Sequence, residues 1–349
     1  MTNRHSFNPA ALRSPDSASV LGTTLASLDL DQVAQHATRA AASGRYHGPT
    51  DPLEYLHANL CVAEAAGVLC ATIAGLVCFG RSPQAVLPRA VVDLGHYHGL
   101  DAVSFEVVHL EKSIGGTIFS QIARVENYLW ANTHHGMTVL DRFERTELHE
   151  YPRVVLRELS VNMLAHRDYS NFQSAARVQL FRNRIEWLSP GGLPPGITVD
   201  NLLAEQASRN PVILSILYEA GLVEAFGQGL DTVVTVLKRE ALTPPVFRDT
   251  GASFMVTVAG RPWELFTTEN NTHLNEWQRR IIAFIRSEGA ISLSDLQQRF
   301  GEDRSRRSIQ RDLQMLVDAG LITARGEGRA LRYLLMPANS APTSGDARR

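Results

Sequence analysis

Two stripes run side by side between Val155 and Asp168. Glu158, Asn162 and His166 recur every four residues, and Val155, Leu159 and Met163 form an apolar row beside them. At about 3.6 residues per turn, this spacing predicts an amphipathic helix with one polar face. Ala176 to Phe181 then reads as a strand, and Arg184 to Leu188 as its hairpin partner across Arg182-Asn183. Ser189 to Gly196 is dense in proline and glycine and predicts a loop. Gly221 to Leu230, with Gly227 and Gly229, predicts a small-residue turn entering a helix near Asp231.

Upstream, an acidic start at Asp29 predicts a helix to about Ser43, and Pro52 to Ala66 a second one stopped by Gly67. Ala90 to Leu94 and Val103 to Leu110 run apolar or alternate, as strands do. Residues 116–133 predict a long helix. Downstream of a polar linker at 261–273, Glu276 to Ser287 is amphipathic, with Ile281, Ile282, Phe284 and Ile285 inward. Ile291 to Leu293 is extended, Ser294 caps a helix from Asp295 to Phe300, and Ser305 to Ala319 forms a third with Ile309, Leu313, Leu316 and Val317 inward. Gly320 to Leu334 predicts a hairpin.

Composition narrows the class. The chain has 349 residues, 44% hydrophobic and 20% charged, which suits a globular protein of two or three domains. A net charge of -2 gives no chain-wide nucleic-acid signature, so any basic surface is local. Cys61, Cys70 and Cys78 are odd in number and lie in apolar surroundings, which predicts reduced core thiols. The start lacks an apolar stretch and Ala71 to Phe79 is too short to span a bilayer. These features lead us to expect a cytoplasmic protein with no membrane partner. His134-His135 and His96/His98 lack a third ligand at a useful spacing, and Trp130, Trp187 and Trp263 are expected to be packing residues.

A stripe holding a carboxylate, an amide and an imidazole can activate water, bind a cation through oxygen and touch phosphate. The plainer alternative is a polar face turned to solvent. The surrounding order separates the two. Glu158 to Ser170, Glu186 to Thr198, Arg209-Asn210-Pro211 and Gly221 to Leu230 together resemble the bacterial RecG-like, divergent GHKL-type ATP-binding transcriptional regulators. Such proteins usually join a Schlafen/AlbA-like domain to a degenerate GHKL ATPase domain and then often a winged helix. The resemblance spans roughly residues 50–260.

It implies that Glu158 polarises the attacking water and that Asn162 holds Mg2+ on the phosphates of ATP. It further implies that His166, with Asp168 beside it, lies at a position that usually carries a phosphate-contacting basic residue. Gly191 and Gly192 would form the first glycine box, and Gly227 and Gly229 the phosphate-side loop, where a missing Cβ lets backbone approach a nucleotide. One departure stands out. Active GHKL enzymes begin the first box with an aspartate that reads adenine, whereas this loop reads Ser189-Pro190-Gly191-Gly192. ATP hydrolysis is therefore expected to be weak at most. The motor of a P-loop helicase is excluded: the two lysines, Lys112 and Lys238, lie in no G-x-x-x-x-G-K-[ST] motif. The acidic-aromatic-lysine motifs of a Schlafen-type core are also lacking, so residues 21–112 are expected to be a truncated α/β remnant of that domain.

Three helices followed by a hairpin resemble a winged helix. Charge favours that reading, because residues 273–336 carry eleven arginines against eight carboxylates in a chain that is acidic overall. Arg304, Arg306, Arg307 and Arg311 gather at the start of the third helix, and Arg325, Arg329 and Arg332 lie on the wing. Arginines at a helix N-terminus suit phosphates and base edges of double-stranded DNA.

The expected fold class is α+β: a GHKL-like α/β sandwich at 113–260 and a winged helix-turn-helix domain at 274–336, with residues 1–20 and 337–349 disordered. Three functions stay open: a homodimeric DNA-binding transcriptional regulator with a nucleotide-sensing domain, a DNA-associated ATPase using Glu158 and Asn162, and a non-catalytic dimerisation scaffold.

Overall fold

A computed structural model describes residues 14–102, 107–140, 144–205, 207–224, 229–262, 266, 274–301, 303–318, 321–326, 328 and 331–335, with 137–140 and 144–146 described by backbone alone. In chain order the elements are α1 (Leu30–Ala42), α2 (Pro52–Ala58), β1 (Val62–Ala65), β2 (Val68–Ala71), α3 (Ile73–Phe79), β3 (Val92–Tyr97), β4 (Val107–Ile114) and α4 (Ile118–Ala131). Next come β5 (His135–Leu140), β6 (Glu144–His149), α5 (Arg153–Ala165), β7 (Ala176–Leu180), β8 (Arg184–Pro190), α6 (Pro211–Glu219) and α7 (Gly229–Arg239). The last are β9 (Val246–Asp249), β10 (Ser253–Ala259), α8 (Glu276–Glu288), α9 (Leu293–Phe300), α10 (Arg306–Asp318), β11 (Ile322–Arg325) and β12 (Arg332–Leu335). Among the described residues no helix is long and apolar enough to cross a membrane.

The chain divides into two compact units. The first comprises residues up to Asn132, Pro152–Val236 and Pro245–Ala259. Its centre is one six-stranded mixed sheet, β4-β3-β7-β8-β10-β9, in which only β3 and β7 run parallel. The expected boundary at 112/113 falls inside β4, so the N-terminal segment and the GHKL-like segment share this sheet.

Packing explains how α5 lies on it. Val155, Leu159 and Met163 are buried, and the fully buried Trp187 of β8 donates its indole N–H to Ser160 Oγ at 3.2 Å. Residues 14–20, expected to be disordered, are fixed instead: buried Asp16 accepts from the backbone N–H of Ile213 at 2.9 Å. It thereby caps the start of α6, whose own N-cap residue, Asn210, makes no side-chain cap bond. All three cysteines are buried thiols. The predicted helix over 52–66 ends at Ala58. Gly67 does not cap a helix but turns the β1–β2 hairpin, with Ala66 and Gly67 both at positive φ (51° and 75°).

The second unit comprises Thr133–Tyr151, Leu237–Pro244 and the chain from Gly260 onward. Here α8, α9 and α10 surround a core of Ile281, Ile282, Ile285, Leu296, Ile309 and Leu313. The antiparallel β11–β12 hairpin is extended by a bridge from Ile291 to Tyr333. The cap of α9 is Ser292 rather than Ser294, in a capping box with Asp295. The hairpin β5–β6, which the hydrophobic periodicity does not predict, belongs here, and its Leu148 joins the same core.

Candidate functional site

The first unit holds a cavity of about 510 Å³ between α5, α6, the start of α7 and the β8–β10 face. Glu158, Asn162, His166, Gly191, Gly192 and Gly229 all line it, together with Ser189. Helical spacing accounts for the first three, since i, i+4 and i+8 share a face. The rest of the wall is largely apolar, including Trp187, Ile197, Leu214 and Phe254. Gly227 lies outside the described residues.

The polar end is tightly built. Glu158 is 7% exposed and pairs with Arg157 at 3.2 Å. Burial nevertheless raises its carboxyl above the usual range, with Arg157 opposing and Glu224 adding to the shift. Asn162 donates its amide nitrogen to the Glu158 carbonyl at 2.8 Å. The amide oxygen, the atom a cation needs, is not the one used in that bond. The start of α7 closes this end: a Cβ on Gly229 would sit 2.8 Å from Asn162 Nδ2 and 3.1 Å from Glu158 Oε2.

His166 differs from the basic role the resemblance implied. Burial, reinforced by Arg209, pushes its pKa down to about 4. The imidazole is neutral at pH 7 and can offer phosphate a hydrogen bond but no charge.

Gly191 and Gly192 line the cavity, but what requires glycine there is protein. Gly191 has φ +94°, and an added Cβ would fall on Arg209 Nη1 and 2.7 Å from Asp168 Cβ. A Cβ on Gly192 would stand 2.6 Å from the Gly251 carbonyl oxygen. Asp168 is not among the cavity's lining residues. It pairs with Arg209 at 3.2 Å and accepts from the backbone and hydroxyl of Ser170 at 2.9 and 2.6 Å, which holds the turn after α5. The hydroxyl of Ser189, where an adenine-reading carboxylate would stand, donates to the Met163 carbonyl at 2.8 Å.

Four residues that carry no signal in the local spacing support this site. Buried Arg167 donates to the carbonyls of Val91, Ser174 and Arg89. Tyr169 donates to the Leu164 carbonyl at 2.9 Å. Asn210 Nδ2 donates to the carbonyls of Ala165 and Arg167 at 2.9 and 2.7 Å, stitching the end of α5 to α6. Arg209 also donates to the Gly192 carbonyl at 2.8 Å. The segments Arg167-Asp168-Tyr169 and Arg209-Asn210 thus meet one another, although about forty positions separate them along the chain.

In the second unit, Arg306, Arg307 and Arg311 are exposed on α10, and Arg325 and Arg332 are exposed on the hairpin. Arg325 and Arg332 are direct cross-strand partners. Arg329 lies outside the described residues. Arg304, grouped with these by sequence, is drawn inward: it pairs with buried Asp312 at 3.2 Å and lies 5.1 Å over the Trp277 ring. Its charge is used within the unit.

Residues 174–258 match the family model described as "Putative ATP-dependent DNA helicase recG C-terminal". An ATPase-like domain of the RecG C-terminal type is therefore present. The solved DIP2311 protein from Corynebacterium diphtheriae shares the fold, with a TM-score of 0.57 at 19% identity over 92% of this chain. The chain spans 64% of the length of that structure. No curated protein matches this chain.

The raised carboxyl of Glu158 gives a test of the polar end. A group with a raised folded pKa contributes stability below its unfolded value and loses it as pH rises through the folded one. Glu158→Gln is therefore expected to gain thermal stability relative to the parent as pH rises from about 4.5 to 8. An equal melting-temperature difference at both ends of that range would refute the buried-carboxylate description.

Proposed function

We propose that the protein is a homodimeric DNA-binding transcriptional regulator whose GHKL-like domain senses a purine nucleotide with Mg2+. The observation that carries the nucleotide half is the meeting of Glu158, Asn162 and the α7 start at one end of an otherwise apolar cavity. The donor set fits the group. An amide oxygen and a carboxylate suit Mg2+, a helix start suits phosphate, and the apolar wall at Phe254 suits a base. Bound Mg2+ would neutralise phosphate charge beside Glu158. The residues would then divide the work: Asn162 would hold the metal–phosphate end, neutral His166 would donate to it, and Glu158 could take a proton from water.

Engagement of the Ser189 hydroxyl with Met163 supports a sensor more than an efficient ATPase, because no carboxylate at that position reads the adenine amine. ATP and GTP should bind alike. The DNA half rests on the three-helix unit, which we read as a winged helix with α10 as its recognition helix. Like charges directly opposite one another destabilise a hairpin, so the Arg325–Arg332 pair suits a strand pair that meets phosphate.

Calorimetry with ATP, GTP and Mg2+ tests the sensor. Asn162→Ala is expected to weaken binding about tenfold or more in Mg2+ and far less in its absence. Bound nucleotide should change DNA affinity, and DNA should change nucleotide affinity by the same factor. No binding at about millimolar nucleotide, the upper end of ordinary Michaelis constants, with or without DNA, would leave the domain a scaffold.

A further inference from the structure

The second unit contains its own cavity, of about 270 Å³, formed by β6, the segment 239–243, residues 260–262 and α8. Five guanidinium groups line it, from Arg239, Arg261, Arg279, Arg280 and Arg286. Three carboxylates face them, from Glu147, Glu240 and Glu276. Several of these charges are already matched. Arg261 bonds Glu240 Oε2 at 2.7 Å and its carbonyl at 3.3 Å. Arg280 pairs with Glu276 at 3.7 Å and lies 4.8 Å over the Trp277 ring, and Arg286 donates to the Gly260 carbonyl.

Arg279 is the exception. Its Nε donates to the Asn275 carbonyl at 3.4 Å, but its buried Nη2 has no hydrogen-bond partner among the described residues. Burial and neighbouring Arg261 both disfavour its charge. Glu276 and Glu240 oppose that shift only in part, so the buried nitrogen keeps part of its desolvation cost. The cavity therefore holds five guanidinium groups against three carboxylates, with positive charge to spare.

We propose that this cavity is an anion site that takes a small phosphate-bearing ligand, held by Arg279 and Arg261. Guanidinium forks match phosphate oxygens in pairs, and an oxyanion would balance the excess of arginine over carboxylate in the cavity. The volume lies just below the range typical of drug-sized ligands, which suits orthophosphate or a small phosphate monoester. This assignment does not depend on the nucleotide reading of the first cavity.

The test uses the full chain and orthophosphate as probe, followed by calorimetry and by phosphorus NMR, without DNA. Orthophosphate should bind, Arg279→Met should weaken it by about tenfold or more, and Arg279→Lys should recover part of the loss. Arg239→Met, at a side chain 73% exposed on the rim, should lower affinity by only about twofold. Asn162→Ala should leave phosphate binding intact, which separates this cavity from the first. No orthophosphate binding by the parent chain at about 10 mM overturns the proposal whether or not the variants fold. So does equal binding by a folded Arg279→Met. A fall in duplex-DNA affinity in Arg279→Met, with no phosphate bound by the parent, would assign the arginines to DNA backbone and overturn the small-ligand site.

Discussion

Replacing Arg167 by alanine is expected to lower the unfolding free energy of the first unit by about 3–5 kcal/mol. The side chain is 1% exposed. Nη1 donates to the Val91 carbonyl at 3.0 Å, and Nη2 to Ser174 at 2.9 Å and to Arg89. Val91 and Ser174 lie just ahead of β3 and β7, the one parallel pair in the sheet. A backbone bond from Ala176 to the Val91 carbonyl at 3.2 Å opens that pair, and the guanidinium fork adds a second tie across it. Its plane also lies 5.4 Å over Tyr169. Alanine would remove the buried bond to Val91, whose carbonyl keeps only the Ala176 N–H at 3.2 Å, and the part-buried bonds to Ser174 and Arg89, and would leave a cavity against that ring. Lysine would restore the charge but not the fork, so Arg167→Lys should recover less than half of the loss. Urea denaturation measures both variants. A loss under about 1 kcal/mol for Arg167→Ala would mean that water or backbone adjustment satisfies the carbonyls.

The same cluster shows what the sequence could and could not disclose. The polar stripe was legible because Glu158, Asn162 and His166 repeat with the helical period, and repetition is local. Their gathering in one cavity with Gly191, Gly192 and Gly229 followed from motif order. The charge state of His166 was not legible, because it depends on burial by segments far away in the chain. Nor was the protein's own constraint on the glycine at 191, a φ of +94° beside the Asp168 Cβ. A buried arginine such as Arg167 reads as a surface residue until the carbonyls around it are known. In the second unit the helices α8, α9 and α10 were legible from amphipathic spacing. Hairpin β5–β6 was not: its tie to that unit runs through Leu148 and the backbone bond from Arg261 to Glu150. Arg304 shows the limit of charge counting, since sequence cannot tell an arginine facing solvent from one clamped by Asp312 and Trp277.

That contrast sets up the largest expected effect on binding. Replacing Arg306, Arg307 and Arg311 together by alanine should reduce duplex-DNA affinity on the order of 10²–10³-fold at about 0.15 M salt. All three are exposed on α10, and Arg307 and Arg311 are one turn apart on the same face. The first two also stand at the helix N-terminus, where the macrodipole adds to attraction for phosphate. Each arginine–phosphate pair removed takes its counterion release with it, so the slope of log affinity against log salt should become shallower by up to about 3. Arg304→Ala is the internal control. Its guanidinium is engaged with Asp312, so the change should lower the stability of the second unit and leave the salt slope almost unaltered. Fluorescence anisotropy across a salt series, with thermal melting of each variant, separates the two outcomes. An unchanged slope in a folded triple variant would remove α10 from the DNA interface. It would leave the exposed arginines of β11 and β12 to be tested in the same way.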